Sequence, residues 1–310
     1  MVNSQIDSEP ASKHRWADVG MLSVAAIWGL NMPIMKFALG RVDPYLFNAT
    51  RLLISAITLG VIVYFQNVPI LDRSPTAKPI RIQLLSVGVF AVLTGFAYQL
   101  LFLVGMDRTT AGNTALIMCA IPMWTALLAR VLIKEQIRSL AWSGLGIAFV
   151  GTLVVTLAVR PISGGGSPVV GNLIVAAAAF CWSLGTVWSR RLMNQIQPLS
   201  LAFWGVTMAV PLHFLVVGDG YSELGKFLTD PWLTASLLYS GILSTGVAYF
   251  LWNLGIQILG TAHASIYQNL VPIVALLAAW ILINEIPVWL QLFGGTLIIV
   301  GVLVMRKNRD

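Results

Sequence analysis

The side chains able to engage a small molecule are aromatic or neutral polar, and they recur at helical spacing within apolar sequence. Trp28 and Asn31 stand three apart, and Trp182, Thr186 and Ser189 follow at four and then three, so each set shares a helix face. Thr94, Tyr98 and Gln99, then Thr245, Tyr249, Trp252 and Asn253, then His263, Tyr267 and Gln268, are groups of the same character. Such residues stack and hydrogen-bond; catalysis needs an acid, base or nucleophile clustered within reach of a partner. The chain offers no such cluster. His14, His213 and His263 are scattered, Cys119 and Cys181 lie in apolar stretches, and Glu135 and Glu285 fall at the ends of such stretches. No catalytic residue, metal site, cofactor or phosphate-cradling loop is expected, and the chain reads as something other than an enzyme.

The elements that must position these residues follow from composition. Of 310 residues, 57% are hydrophobic and only 10% charged, with a mean hydropathy of +0.83. That leaves too little polar surface for a soluble globule of this size, so an integral membrane protein is predicted. Ten apolar stretches, at 19–39, 45–66, 81–105, 110–133, 139–159, 169–189, 198–218, 232–256, 261–283 and 287–305, each approach the ~20 residues that cross a bilayer. They must be helices, because lipid offers no partner to an open backbone. The polar start is followed by a stretch too long, and too poor in a cleavage signal, for a secretory peptide.

Position explains the charge better than its sum of +7. With the N-terminus inside, thirteen Lys or Arg fall on cytoplasmic segments against five outside. Both termini are therefore placed in the cytoplasm of a multi-pass plasma-membrane protein. The partners expected are the lipid bilayer and a small-molecule substrate, with no nucleic acid; monomer and homo-oligomer both stay open.

The chain also repeats itself. Pro122 precedes Glu135 by thirteen residues as Pro272 precedes Glu285, and Gly144 and Gly151 match Gly294 and Gly301, all at an offset of 150. Trp28 with Trp182, Lys36 with Arg190 and Pro44 with Pro198 align at 154. Five stretches per copy is odd, so the second copy enters from the other side and the halves are inverted. The expected fold is all-α, with ten transmembrane helices as two inverted five-helix repeats. The expected division is a polar cytoplasmic tail (1–18), a first repeat (19–160), a Gly/Ser/Pro linker (161–168), a second repeat (169–305) and a basic cytoplasmic end (306–310).

Within that frame the polar residues carry two readings. Side chains at mid-depth line a cavity between inverted halves, or they hydrogen-bond neighbouring helices at roughly 0.6 kcal/mol each. Trp16, Trp142, Trp232 and Trp289 fall near span ends and read as interfacial anchors. Trp28 and Trp182 lie too deep for that. Arg51 is the one unambiguous charge within a span, about 9 Å along the axis from Tyr45; it either snorkels to the headgroups or is paired and functional. Pro122 and Pro272 are expected as bending points, serving motion or static packing. The glycines of the fifth and tenth spans are expected to permit close helix contact within a half or between protomers.

The early-span AAIWGLNMPIMKFA with its counterpart FCWSLGTVWSR, the second-span NATRLLIS, and the twice-used Pro, Glu, paired-glycine pattern resemble the EamA family of the drug/metabolite transporter superfamily. The resemblance runs from 16 to 307. It implies a ten-helix inverted-repeat fold with a central cavity, alternating access and small-metabolite transport, often outward; amino-acid exporters of the YddG type are one candidate subgroup. Small four-helix relatives depend on a carboxylate in their first span, and this chain has none between Asp18 and Asp43. Proton coupling through a buried acid is therefore not expected. The leading reading is a secondary transporter, permease or exporter, moving a small metabolite, foremost an amino acid. The proposed substrate contacts are Trp28, Asn31, Arg51, Tyr98, Trp182, Thr186, Tyr249, Asn253, Tyr267 and Gln268, with Pro122 and Pro272 as hinges. The alternatives are a multidrug efflux protein and a non-transporting receptor or scaffold on the same fold.

Overall fold

A computed structural model describes residues 11–69, 79–132, 139–158, 167–192, 196–252, 254–255, 258, 267 and 270–306. Its main helices are α1 Ala11–Leu39, α2 Pro44–Phe65, α3 Ile80–Asp107, α4 Ala111–Met118, α5 Ile121–Leu132, α6 Ser139–Leu157 and α7 Pro168–Leu192. They continue with α8 Pro198–Thr207, α9 Val210–Leu215, α10 Pro231–Trp252, α11 Val271–Ile283 and α12 Trp289–Arg306. Among the described residues no strand occurs. Among the described residues, seven helical segments are long and apolar enough to cross a bilayer, and three shorter apolar helices, Trp142–Leu157, Val271–Ile283 and Trp289–Val304, accompany them.

Local sequence sets the helix starts. Pro44, Pro198 and Pro231 occupy first helical positions, where the missing N–H costs no hydrogen bond. Asp43 caps α2 by accepting from the Leu46 amide, Thr110 caps α4 through the Asn113 amide, and Asp230 caps α10 through Trp232 and Leu233. Two stretches of the anticipated spans are broken. A turn at Cys119–Ala120 divides α4 from α5, and a second at Met208–Ala209 divides α8 from α9. Pro122 and Pro272 each take the second position of a helix, α5 and α11.

Both α3 and α10 widen into π-helix, at Ala91–Ala97 and Tyr239–Val247. Each π segment holds a Thr-Gly pair, Thr94-Gly95 or Thr245-Gly246, one turn before Tyr98 or Tyr249. Such bulges re-aim the side chains that follow them and are frequent where a helix serves function. Glycine is needed there for approach: a methyl on Gly95 would collide with the Gly205 carbonyl, and one on Gly246 would come within 2.5 Å of Thr58.

Packing follows a regular scheme. Helix α1 lies on α10 and α11; α7 lies on α3 and α5; α2 meets α8 and α10; α8 meets α3; and α6 runs against α12. The last contact is closest, and small residues permit it: a methyl on Gly151 would sit 2.7 Å from the Gly294 carbonyl, and one on Gly301 would strike Gly144 and Ala148. This seam joins the two copies of the repeat, rather than lying within one copy. Trp16, Trp142, Trp232 and Trp289 are half or more exposed near helix starts, as interfacial anchors are. Between α9 and α10, a short segment is pinned by Arg41–Asp230 and Lys226–Glu223 ion pairs at 2.9 and 2.7 Å.

Candidate functional site

Trp28 on α1 and Trp182 on α7 meet the tyrosines placed by the π segments. Trp182 lies against Tyr98 with ring centroids 4.7 Å apart, and Trp28 lies 6.0 Å from Tyr249. Tyr249 also meets Trp182 edge-on at 6.0 Å, and Trp28 meets Trp252 at 5.5 Å. These separations and tilts are those that aromatic quadrupoles favour. All five rings remain partly open, unlike the fully buried apolar residues beside them. The indole N–H of Trp28 donates to the Ser244 carbonyl at 3.0 Å. Those of Trp182, and the Tyr98 hydroxyl, have no hydrogen-bond partner among the described residues.

Arg51 stands beside this cluster and does not snorkel: only 3% of it is exposed. Its Nη2 donates to Asn48 Oδ1 at 2.5 Å and Gln99 Oε1 at 2.9 Å, while Nη1 reaches Thr245 Oγ1 at 3.4 Å. Nε is buried without a partner. Gln99 adjoins Tyr98 and Thr245 lies one turn before Tyr249, so the guanidinium sits within electrostatic range of both tyrosines. No carboxylate pairs with it among the described residues. Asn48 Nδ2 in turn contacts His213 Nδ1 at 3.2 Å, and His213 Nε2 donates to the Gly95 carbonyl at 2.9 Å. That pattern fixes a neutral imidazole with its proton on Nε2.

The remaining predicted site residues are used differently. Asn31 is buried between helices, its Oδ1 accepting from Ser240 at 2.6 Å. Thr186 donates to the Trp182 carbonyl of its own helix at 2.9 Å. Tyr267 donates to Asp18 at 2.6 Å, at a level ten residues, or about 15 Å of helix, from Trp28. Asn253 and Gln268 lie outside the described residues, as do Glu135 and His263. Asn48 and His213 were not foreseen. Asn48 sits one turn before Arg51 on α2 and had a sequence signal; His213 comes from a distant helix and had none.

A second polar centre gathers near the starts of α4 and α12. Asn284, in the left-handed region at φ 54°, ends α11 and turns Glu285 onto the Ala111 and Gly112 amides at 2.9 and 2.8 Å. Gln291 donates to Asn113 at 2.7 Å, Asn113 to the Ala158 carbonyl at 3.0 Å, and Asn172 to the Thr156 carbonyl at 2.8 Å. Lys36 donates to the Met106 and Asp107 carbonyls, both at 2.8 Å, where a cation suits the C-terminal end of α3. These contacts fasten helices and leave little polar capacity for a ligand.

Known proteins share this architecture. An uncharacterized transporter, YyaM, of Bacillus subtilis is 27% identical over 94% of this chain and 93% of its own length. A probable amino-acid metabolite efflux pump of Escherichia coli is 26% identical over 91% and 92%. A solved crystal structure superposes with a TM-score of 0.62 over 96% of this chain and 99% of that one, at 18% identity, a likeness of fold. The model of the EamA-like transporter family matches residues 15–157 and again 169–307, a family of transporters rather than enzymes. This multi-pass membrane chain therefore belongs to the EamA-like transporter family.

Proposed function

We propose that the protein is a secondary transporter of the bacterial plasma membrane that exports a small metabolite, foremost an amino acid, by alternating access. The observation that carries this reading is the ring chain Tyr98–Trp182–Tyr249–Trp28. Its two end pairs, Tyr98–Trp182 and Trp28–Tyr249, cross between the repeats, and exchanging the repeats turns one into the other; Trp182–Tyr249, within the second copy, links them. The helix pairings behave alike: α1 on α11 corresponds to α7 on α5, and α3 on α7 to α10 on α1, while α6 on α12 maps onto itself. That correspondence supports ten helices in two inverted repeats, and the excess of Lys and Arg on one set of loops supports cytoplasmic termini. Partly open rings at the centre of such a frame suit a substrate path. The E. coli relative's name favours an amino-acid metabolite as cargo.

Transport proceeds as exchange or facilitated diffusion. The described carboxylates lie at helix ends or in the segment between α9 and α10, so none at mid-depth can carry a proton with the substrate. The test is flux in vesicles reconstituted with the purified chain and preloaded with a panel of amino acids and related metabolites. Protein-dependent efflux of some members down their gradients is expected, without uphill accumulation driven by a pH gradient alone. If nothing in the panel moves, the reading fails; accumulation driven by pH would remove the coupling mode.

A further inference from the structure

We infer that the substrate is recognised as a monocarboxylate on an apolar or aromatic body, with Arg51 as the carboxylate receptor and the amino group dispensable. This deepens the transport reading and rests on it. An arginine keeps its proton in a protein interior, so Arg51 brings a full positive charge to a place that is 3% exposed. Its three oxygen partners, from Asn48, Gln99 and Thr245, are neutral. They satisfy hydrogen bonds without cancelling charge, and they leave Nε unpartnered and Nη1 with only a 3.4 Å contact. A buried cation with hydrogen-bonding capacity in reserve is a standing preference for an anion.

The second observation is the direction of the remaining unfilled hydrogen-bonding groups. Arg51 Nε and Trp182 Nε1 donate only, and the Tyr98 hydroxyl can donate. A carboxylate needs donors. An ammonium needs acceptors or a counter-anion, and the described acids are all engaged or distant. Asp18 holds Tyr267; Glu285 holds the Ala111 and Gly112 amides. Asp43, Glu223 and Asp230 serve the segment between α9 and α10, Asp219 lies within it, and Asp107 ends α3. Among the described residues, an ammonium at the ring cluster would find aromatic faces and the Tyr98 hydroxyl oxygen, and no free carboxylate.

The third observation fixes the rest of the ligand. The guanidinium is flanked by Gln99 next to Tyr98 and by Thr245 one turn from Tyr249, so a carboxylate on Arg51 places its body among Tyr98, Trp182, Tyr249 and Trp28. Those rings favour an apolar or aromatic group.

Two ligand trios test this by binding to the purified full-length chain, read by thermal shift and calorimetry: phenylalanine, 3-phenylpropionate and 2-phenylethylamine; and leucine, 4-methylpentanoate and 3-methylbutylamine. The expected result is that each acid binds within about threefold of its amino acid, while each amine binds at least about tenfold more weakly. Arg51→Gln should erase the gap between acid and amine. Tyr98→Phe, which leaves the charge in place, should weaken acid and amino acid together, narrowing the gap to the amine without closing it. An amine that binds as well as its acid overturns the inference, as does an Arg51→Gln protein that keeps the preference; should that variant fail to fold, the wild-type comparison decides alone. Failure of the two readings is distinguishable. Vesicle flux of other solutes with no trio member bound sinks the carboxylate rule only; silence in both assays sinks transport as well.

Discussion

Trp28 and Trp182 are repeat equivalents held in different ways. Trp28 has its indole N–H tied to the Ser244 carbonyl, whereas the Trp182 N–H has no partner among the described residues. Removing either ring deletes aromatic contacts worth about 1 kcal/mol each. Trp28→Ala and Trp182→Ala should therefore each weaken substrate binding by about tenfold, measured by calorimetry. Trp28→Ala should also lower thermal stability further, because it strands the Ser244 carbonyl; unchanged affinity in both variants would make the rings packing residues. In the segment between α9 and α10, Glu223 is held below the ordinary carboxylate range, first by its hydrogen bond from Lys226 and then by the Asp43 amide. The Leu233 amide and then Arg41 lower Asp230 likewise. A depressed folded value stabilises above the unfolded one and is lost as pH falls through the folded value. Thermal stability of the wild type should consequently fall more steeply between about pH 5 and pH 3 than that of Glu223→Gln; parallel curves would show the contact to be idle.

Helix ends carry the tertiary bonds that hold elements together. Glu285 accepts two amides at the start of α4, which is otherwise capped only by Thr110, so it joins α11 to α4. Glu285→Ala should cost about 1–2 kcal/mol of stability, read as a lowered Tm in detergent. Gly112→Ala should act at the same joint, since its methyl would lie 2.7 Å from Leu276 and 3.0 Å from the Glu285 carboxylate. No change in either variant would remove the joint from the account. Much at this scale was legible in sequence. The prolines at helix starts, the exposed tryptophans and the glycine pattern of α6 and α12 all point to the elements observed. The turn at Cys119–Ala120 and the π segments were not legible, because both are local departures from helical hydrogen bonding inside uninterrupted apolar sequence. The Asn113–Gln291–Asn172 network was missed for another reason: its members are far apart in sequence and meet only once helices pack.

The whole molecule is a bundle whose central contacts cross between two copies of one unit. Orientation belongs to this scale, and the excess of Lys and Arg on one set of loops is the ground for proposing that both termini are cytoplasmic. Cysteines introduced at Ser163 and Asn308, in a chain with Cys119 and Cys181 replaced, should separate cleanly. A membrane-impermeant maleimide applied to intact cells should label the first and not the second; the opposite pattern would invert the topology. The aromatic residues of the site were readable in advance because helical spacing marks a face, and Trp28 and Trp182 because duplication marks a pair. The environment of Arg51 was not readable: whether a charge nine or so ångströms into a helix snorkels or stays buried depends on Gln99, Thr245 and His213 arriving from other helices. The central claim is that solute crosses the membrane through this ring-lined centre. Its most direct test is trans-stimulated efflux of labelled phenylalanine and leucine from vesicles containing the protein. External unlabelled substrate should accelerate efflux in the wild type and much less with Trp28 and Trp182 both replaced by alanine; efflux of either solute that does not depend on the protein, or is indifferent to the double substitution, would contradict it.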